Sequence, residues 1–433
     1  MRDLGRSDDP RVQAQLDRLA ALSLPQGRFG LDTMRALLAR LGNPHERLPP
    51  VFHVAGTNGK GSTCAFLRAM LEAGGYRVHA TISPHLVRYN ERIRLAGHLI
   101  EDAYLAELLA DVLDASEALN PSFFEVTIAA AFLAFSREPA DACVVEVGLG
   151  GRLDATNVIR KPAVCGIAAL GMDHERFLLA PEEGTPADPK ARIAFEKAGI
   201  AKPGVPLVTL ACGAAESEAI AAVAQQAGAR WLAQGRDWEV GGRAAGLFYR
   251  DDPGTSAGGL HLPLPNLAGT HQIANAGLAI AMLRYQRALP IASDALATGL
   301  QVARWPARLQ KLDPGPLTGK RDVWLDGGHN PSAGKALAAH FAGQRVHLVV
   351  GMIEGKDPAG FLALLHPSLA SMTAVPVPGH EWHHAAAFGP TAQSANDVPS
   401  ALAGLPDDGL PVLITGSLYL AGEVLRLNGE MAD

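Results

Sequence analysis

An apolar run, Val51-Phe52-His53-Val54-Ala55, leads into Gly56-Thr57-Asn58-Gly59-Lys60-Gly61-Ser62 and then into a helix-forming stretch closed by Gly74-Gly75. Strand, glycine-rich turn and helix in that order make a phosphate-binding loop: glycines let backbone N–H groups and the helix N-terminus converge on phosphate oxygens, and a lysine adds a mobile positive charge. Thr57, Asn58, Gly59, Lys60, Gly61 and Ser62 are therefore candidates to cradle a triphosphate. The strict G-x-x-x-x-G-K-[ST] pattern is not met, because Val54 stands at the first glycine and Gly61 separates Lys60 from Ser62. An ordinary GTPase or kinase loop is disfavoured. The plainer alternative, a glycine-rich turn carrying a surface lysine, is disfavoured by the presence of both flanking elements.

Two further places carry polar groups directly after strand-like runs. ADACVVEVGLGGRLDATN delivers Glu146 at a strand end, followed by a glycine loop and Asp154, and a carboxylate there could hold Mg²⁺ beside the phosphates. Asp173-His174 follows a third run, and the helical stretch Ile193-Ala194-Phe195-Glu196-Lys197-Ala198-Gly199 lies beyond it; His174 with an oxygen donor could complete a second magnesium site. Taken alone, Glu146 reads as a cap or surface partner, His174 as a turn residue and Lys197 as a solvated helix lysine. Their grouping behind a phosphate loop is what gives them a chemical reading.

The elements that must position these residues are legible as short β-branched runs between helical patterns. Val51 to Ala55, Cys143 to Val147, Val164 to Leu170 and Leu207 to Leu210 predict crossover units and a largely parallel sheet. Val323 to Leu325, Val346 to Val350, Thr373 to Val377 and Val412 to Thr415 predict a second α/β domain. Helices are expected over Gln272 to Arg287 and Ala292 to Ala303, ended by Trp305-Pro306, which puts a boundary near residue 300. The expected class is α/β: residues 1–300 as a domain with the phosphate loop on a mainly parallel sheet, and 301–433 as a smaller α/β domain. The Gly- and Pro-rich stretch Gly241 to Pro265 reads as a hairpin or irregular excursion.

Composition excludes several classes. A formal net charge of −6 built from interspersed charges provides no basic stripe for a phosphodiester backbone, so nucleic acid is not an expected partner. Cys64, Cys143, Cys165 and Cys212 form no C-x-x-C pair and suit a reducing compartment. No apolar stretch reaches the ~18 residues of a membrane span, so a cytoplasmic protein with no membrane partner is expected. The chain carries no Ser-His-Asp or Cys-His signature of covalent catalysis.

Taken together, AGTNGKGS, SPHLVRYNERI (Ser83 to Ile93), EVGLGGRLDATN, Asp173-His174, FEKAGI, WPARLQ and LDGGHNP resemble, in order, the folylpolyglutamate synthase/dihydrofolate synthase family. The first and last of these motifs are shared with the wider Mur ligase superfamily; SPHLVRYNERI with EVGLGGRLDATN resembles the folate branch. The resemblance implies a P-loop ATPase domain over residues 1–300, a Rossmann-like glutamate-ligase domain over 301–433, and an ATP-dependent ligase that joins L-glutamate to a folate, or to dihydropteroate, through an acyl phosphate. ATP is then a co-substrate, with two Mg²⁺ ions and K⁺ as an accessory cation, acting on a monomer. Ser83 and Glu146 would bind one Mg²⁺, and Glu146, His174 and a carbamylated Lys197 the other. Asn275 would meet the nucleotide base, Arg308 and Asp326 would reach ATP, and His329 would sit near the transferred phosphate. Phe123, Phe124 and Glu125, with Leu153, Asp154 and Ala155, would frame the pteridine, and Ser417 would bind glutamate. Two departures from the family pattern stand out. The chain from His174 to Lys197 runs through FLLAPEEGTPADPKARIAFEKAG (Phe177 to Gly199), a longer polar insertion with three prolines, and Ala307 and Gly328 replace a usual glycine and alanine. The competing readings are another Mur-type amino-acid ligase, or a nucleotide-binding regulator that does not ligate.

Overall fold

β1 (Val51–Ala55) is buried at every position. A strand with apolar groups on both faces is stable only where helices cover the sheet from both sides, which is the environment of a parallel sheet. The computed structural model describes residues 6–22, 30–243, 245–252 and 258–430. The chain forms two compact units. The first takes the chain up to Pro84, then Arg88–Asn266 and Ile273–Ala303; the second takes His85–Val87, Leu267–Gln272 and the chain from Arg304 onward.

In the first unit β1 is joined by β2 (Val78–Thr81), β3 (Ile93–Leu95), β4 (His98–Leu99), β5 (Ala142–Glu146), β6 (Val164–Ile167), β7 (Pro206–Thr209) and β8 (Arg230–Ala233), in the order β4-β3-β2-β5-β1-β6-β7-β8. All neighbours from β2 to β8 are parallel, and β3 and β4 turn back antiparallel at one edge. β1 thus lies between β5 and β6, so three loops leave the carboxyl edge side by side. In such sheets that edge is where ligands bind. The run expected to continue to Leu170 ends at Ile167, because Ala169 leaves the sheet and its carbonyl accepts from the amides of Thr57 and Asn58. The glycine-rich excursion is an antiparallel meander of β9 (Trp238–Arg243), β10 (Gly246–Asp251) and β11 (Leu260–Leu262), whose hairpin positions 244 and 253–257 fall outside the described residues.

The second unit holds β12 (Gln310–Lys311), β13 (Val323–Leu325), β14 (Val346–Val350), β15 (Leu369–Ala374), β16 (Gln393–Ser394) and β17 (Val412–Thr415), in the order β12-β13-β17-β14-β15-β16. Its pairings are parallel except for β12 with β13. The strand expected over Thr373 to Val377 runs earlier, from Leu369, and ends before Pro376, which has no N–H to give to a ladder. Among the described residues no helix is long and apolar enough to cross a membrane.

The helix Phe123–Arg137 is apolar on nearly its whole surface and buried from Val126 to Phe135. Burial explains its depth in the fold but not its starting point, which is set by a capping box. Ser122 Oγ accepts from the Glu125 amide at 3.3 Å, and Glu125 Oε2 accepts from the Ser122 amide at 2.8 Å. Ser122→Ala removes the hydroxyl and is expected to lower stability by about 1 kcal/mol in urea unfolding. An unchanged midpoint would mean that packing alone defines this helix end.

Candidate functional site

Gly59 precedes the helix Lys60–Ala73 with φ +82, and a Cβ there would collide with the side chain of Asn275. Glycine is required on both counts, by the left-handed backbone and by the close approach. Asn275, itself buried, is thereby held against the phosphate loop by the helix His271–Tyr285. The other side of the loop is pinned to the chain leaving β6. Thr57 and Asn58 amides donate to the Ala169 carbonyl at 2.9 and 3.1 Å, and Thr57 Oγ1 donates to the Gly171 carbonyl at 2.9 Å. A helix N-terminus in this place brings the positive end of the helix dipole to the loop.

Two lysines end on one oxygen. The Gly56 carbonyl accepts from Lys60 Nζ at 3.0 Å and from Lys197 Nζ at 2.9 Å. Lys197 stands on the helix Pro189–Ala198 and is 4% exposed. Burial, and secondarily the positive charge of Lys60, push its pKa down to about 7, against the opposing pull of Asp173, Asp154 and Glu196. An amine with that pKa is substantially neutral near pH 7 and in that form can act as a nucleophile.

Glu146, at the end of β5, is buried, and its Oε2 accepts from the Ser83 amide at 3.3 Å, so these two sequence candidates adjoin. The Glu146 carboxylate also lies close enough to the first turn of the phosphate helix to raise the Cys64 thiol pKa, after burial itself. His174 has φ +52 in the turn beside Asp173; its amide donates to Asp173 Oδ1 at 2.8 Å, and its Nε2 lies 4.0 Å from Asp173 Oδ2. Among the described residues no three His, Cys, Asp or Glu side chains converge as a ready metal cluster. A hard-cation site here must therefore draw on hydroxyl, phosphate and other oxygen donors beside Glu146. That composition fits Mg²⁺, which binds through one or two carboxylates with substrate phosphates and water.

The candidates for the pteridine side meet around the glycine loop. Phe124 packs against Gly148, where a Cβ would strike its ring. Phe123 meets Tyr89 edge-on, with ring centroids 6.0 Å apart, and the Arg92 guanidinium lies over both rings at 5.4 Å. Glu125 is engaged in the capping box. Leu153 precedes Asp154, and Asp154 N-caps the short turn Ala155–Val158. Asp154 is buried: its Oδ2 accepts from the Leu149 amide at 2.9 Å, and its Oδ1 from the Thr156 amide at 3.0 Å and from the Thr156 hydroxyl. That hydroxyl has one proton, already given to Asp154, so it accepts from His53 Nε2–H at 2.8 Å. Burial holds the His53 pKa at about 3, a neutral ring, and raises that of Asp154 despite these donors. The chain His53-Thr156-Asp154 was missed in the sequence because His53 reads there as an interruption of an apolar strand.

In the second unit the carboxyl ends of β13 and β17 carry the remaining candidates. Asp326 Oδ1 accepts from the Gly328 amide at 2.7 Å and Oδ2 from the Leu309 amide at 2.9 Å. Arg308 lies between Ala307 and Leu309, both left-handed at φ +56 and +47, which accounts for a glycine being usual at the first. His271 joins this group: burial lowers its pKa, opposed by Asp326 and reinforced by Arg308. The His329 Nδ1–H donates to the Gly327 carbonyl at 3.0 Å. Ser417 caps the helix Leu418–Asn428, accepting from the Tyr419 amide at 3.2 Å.

The depressed Lys197 pKa has a stability consequence. The unfolded amine holds its proton up to about pH 10.5 whereas the folded one loses it near 7, so burial costs stability throughout that window, fully at and below pH 7. In metal-free, CO₂-depleted buffer Lys197→Met is expected to be more stable than wild type at pH 7 by up to a few kcal/mol, a gain that fades as pH rises towards 10. Equal stability difference at pH 7 and pH 10 in denaturant titrations would exclude the neutral-amine assignment.

No family model matches the chain. The folylpolyglutamate synthase of Lacticaseibacillus casei is 32% identical over 425 residues, covering 90% of this chain and 92% of that protein. Escherichia coli FolC in complex with DHPP and ADP superposes with a TM-score of 0.83 at 31% identity, covering 96% of this chain and 97% of that one. A bifunctional folylpolyglutamate synthase/dihydrofolate synthase with Mn, AMPPNP and L-glutamate bound gives a TM-score of 0.82 at 30% identity, covering 98% and 99%.

Proposed function

This chain belongs to the folylpolyglutamate synthase/dihydrofolate synthase family, and from that premise we infer that it is an ATP-dependent ligase joining L-glutamate to a folate carboxylate. ATP and a divalent metal ion serve the reaction. The observation in this chain that supports the chemistry best is the convergence of Lys60 and Lys197 on the Gly56 carbonyl at the mouth of a phosphate loop.

A carboxylate is a poor electrophile and must be activated. Its oxygen attacks the γ-phosphorus of ATP, an O–P bond forms as the bond to the β-bridging oxygen breaks, and ADP departs. The glutamate amine then attacks the acyl carbon; a C–N bond forms, the amine loses a proton, and phosphate leaves. The loop amides and Lys60 bind the triphosphate and meet the charge that develops on it. When bound, the metal ion supplies additional neutralisation of the phosphate charge. We assign two Mg²⁺ ions, with K⁺ as an accessory cation, to Ser83, Glu146, His174 and a carbamate on Lys197. The neutral Lys197 amine attacks CO₂, an N–C bond forms and one proton goes to solvent, so a repelled cation becomes an anionic oxygen donor.

Residues 1–300 are assigned to nucleotide and folate binding, and 301–433 to the glutamate-ligase domain. Asn275, Arg308 and Asp326 are assigned to the nucleotide, His329 to the transferred phosphate and Ser417 to glutamate. Phe123, Phe124, Glu125 and Leu153 to Ala155 are assigned to the pteridine. Asp154 fits that role because its second oxygen lies in a buried, hydrogen-bonded corner where a ring N–H can be matched. The enzyme is taken to act as a cytoplasmic monomer on both dihydropteroate and tetrahydrofolate.

The test is ADP release and product mass with dihydropteroate and with tetrahydrofolate in parallel, each with and without L-glutamate. Glutamate-dependent ADP formation and a product heavier by one glutamyl residue are expected, and Lys60→Ala is expected to lose more than about 99% of the rate while remaining folded. ADP release indifferent to both carboxylate and glutamate would favour a plain nucleotidase.

The carbamate is tested separately. Lys197→Ala should be nearly inactive, formate or acetate should restore part of its rate by occupying the vacated oxygen-ligand position, and Lys197→Arg should gain nothing from either. Equal response of both variants would remove the carbamate from the mechanism.

A further inference from the structure

The insertion between His174 and Lys197 is tied down at two points. Leu178, buried, packs over Gly150 in the glycine loop. Four residues beyond it, Glu182 closes a ring of charges. The Arg152 guanidinium donates to Glu182 Oε1 and Oε2 at 3.2 and 2.6 Å, and to Glu196 Oε2 and Oε1 at 3.1 and 2.9 Å. Arg192, one turn before Glu196, pairs with Glu182 at 3.2 Å and with Glu196 at 3.0 Å. Side-chain exposure is 7% for Arg192 and Glu196, and 26% and 27% for Arg152 and Glu182, so this network is largely shielded from water.

Beneath it two backbones touch. The Arg152 amide donates to the Glu196 carbonyl at 2.7 Å, and Asn157 Nδ2 donates to the carbonyls of Arg152 and Gly199 at 2.9 and 3.0 Å. A Cβ on Gly151 would lie 2.9 Å from the carbonyls of Glu196 and Lys197. The turn carrying Lys197 and the loop carrying Leu153, Asp154 and Ala155 are thus packed as one piece, and Glu182 supplies the second of the two negative charges that balance its two arginines. Without Glu182, Arg152 and Arg192 would share Glu196 alone, leaving a net positive charge in a shielded position, which drives the two backbones apart.

We propose that Glu182 is a positioning residue for ligation: by closing the Arg152–Glu196–Arg192 network it holds Lys197 and the Leu153–Ala155 loop in one fixed register. The proposal rests on the ligase reading above. It gives the insertion a task, since the segment that lengthens the connection also carries the charge that locks it.

The test compares wild type, Glu182→Gln, Glu182→Ala and Glu182→Asp as full-length protein, in two measurements. In glutamate-dependent ADP release with MgATP and tetrahydrofolate, Glu182→Ala and Glu182→Gln are expected to lower kcat per folded enzyme about tenfold and raise the Mg²⁺ concentration for half-maximal rate, with KM for ATP within about twofold of wild type. Glu182→Asp should recover part of kcat. In amide hydrogen exchange of the unliganded protein, peptides over 148–157 and 192–200 should open together in Glu182→Ala while 51–64 is unchanged. Wild-type kcat and Mg²⁺ dependence in Glu182→Gln, a rate loss that only tracks the fraction of folded protein, or faster exchange confined to 175–188 would each overturn the proposal. Absence of glutamate-dependent ADP release from wild type would instead refute the ligase reading, and the exchange result would decide the clamp by itself.

Discussion

One backbone oxygen, that of Gly56, receives two primary amines in a place from which water is largely excluded. Burial, with the positive charge of Lys60 added, lowers the pKa of the more deeply buried amine, that of Lys197, to about 7. The rest of the first unit is arranged around that contact. β1 must lie between β5 and β6 for Gly56 to emerge beside both Glu146 and the chain that holds the loop through Ala169. The helix Pro189–Ala198 must come close enough for Lys197 to reach across, and the glycine loop after β5 must be thin enough for that helix to do so.

The polar groups near this point are used with little surplus. Asp154 accepts on both oxygens from amides of its own loop, and on one of them from a hydroxyl that is itself fixed by a neutral histidine on β1. Glu125 ties the start of an apolar helix to its own cap. Glu196 is enclosed between two arginines, and its upward pull on the pKa of its neighbour Lys197 ranks behind those of Asp173 and Asp154. Asp154 and Glu196, held by hydrogen bonds of their own, offset only part of the burial that lowers the Lys197 pKa.

The same economy accounts for the insertion. A longer connection costs little in loop-closure entropy, so its length is not a burden; what decides its effect is whether its ends and its middle are anchored. Leu178 and Glu182 provide two anchors of different kinds, one apolar and one charged, on the two flanking strands of backbone that carry the loop and the lysine.

Some of this is legible in the amino-acid order. The strand-glycine-helix passage at 51–73, the carboxylate ending a buried run at Glu146 and the parallel α/β class follow from local patterning, because phosphate loops and buried strands are made by contiguous residues. The family likeness was readable for the same reason, since its motifs are short blocks. What the order does not disclose is which distant groups share an environment. Lys197 reads as a solvated helix lysine until a helix far along the chain is docked on Gly56, and only then is its pKa displaced. His53 reads as a flaw in a strand until Thr156 and Asp154 are brought beneath it. Arg152, Glu182, Arg192 and Glu196 lie apart in the order and become a network only when packing brings them together and removes the water between them. Burial is a property of the assembled sheet and helices, and electrostatic effects of this size exist only where water has been excluded, which no stretch of sequence can do on its own.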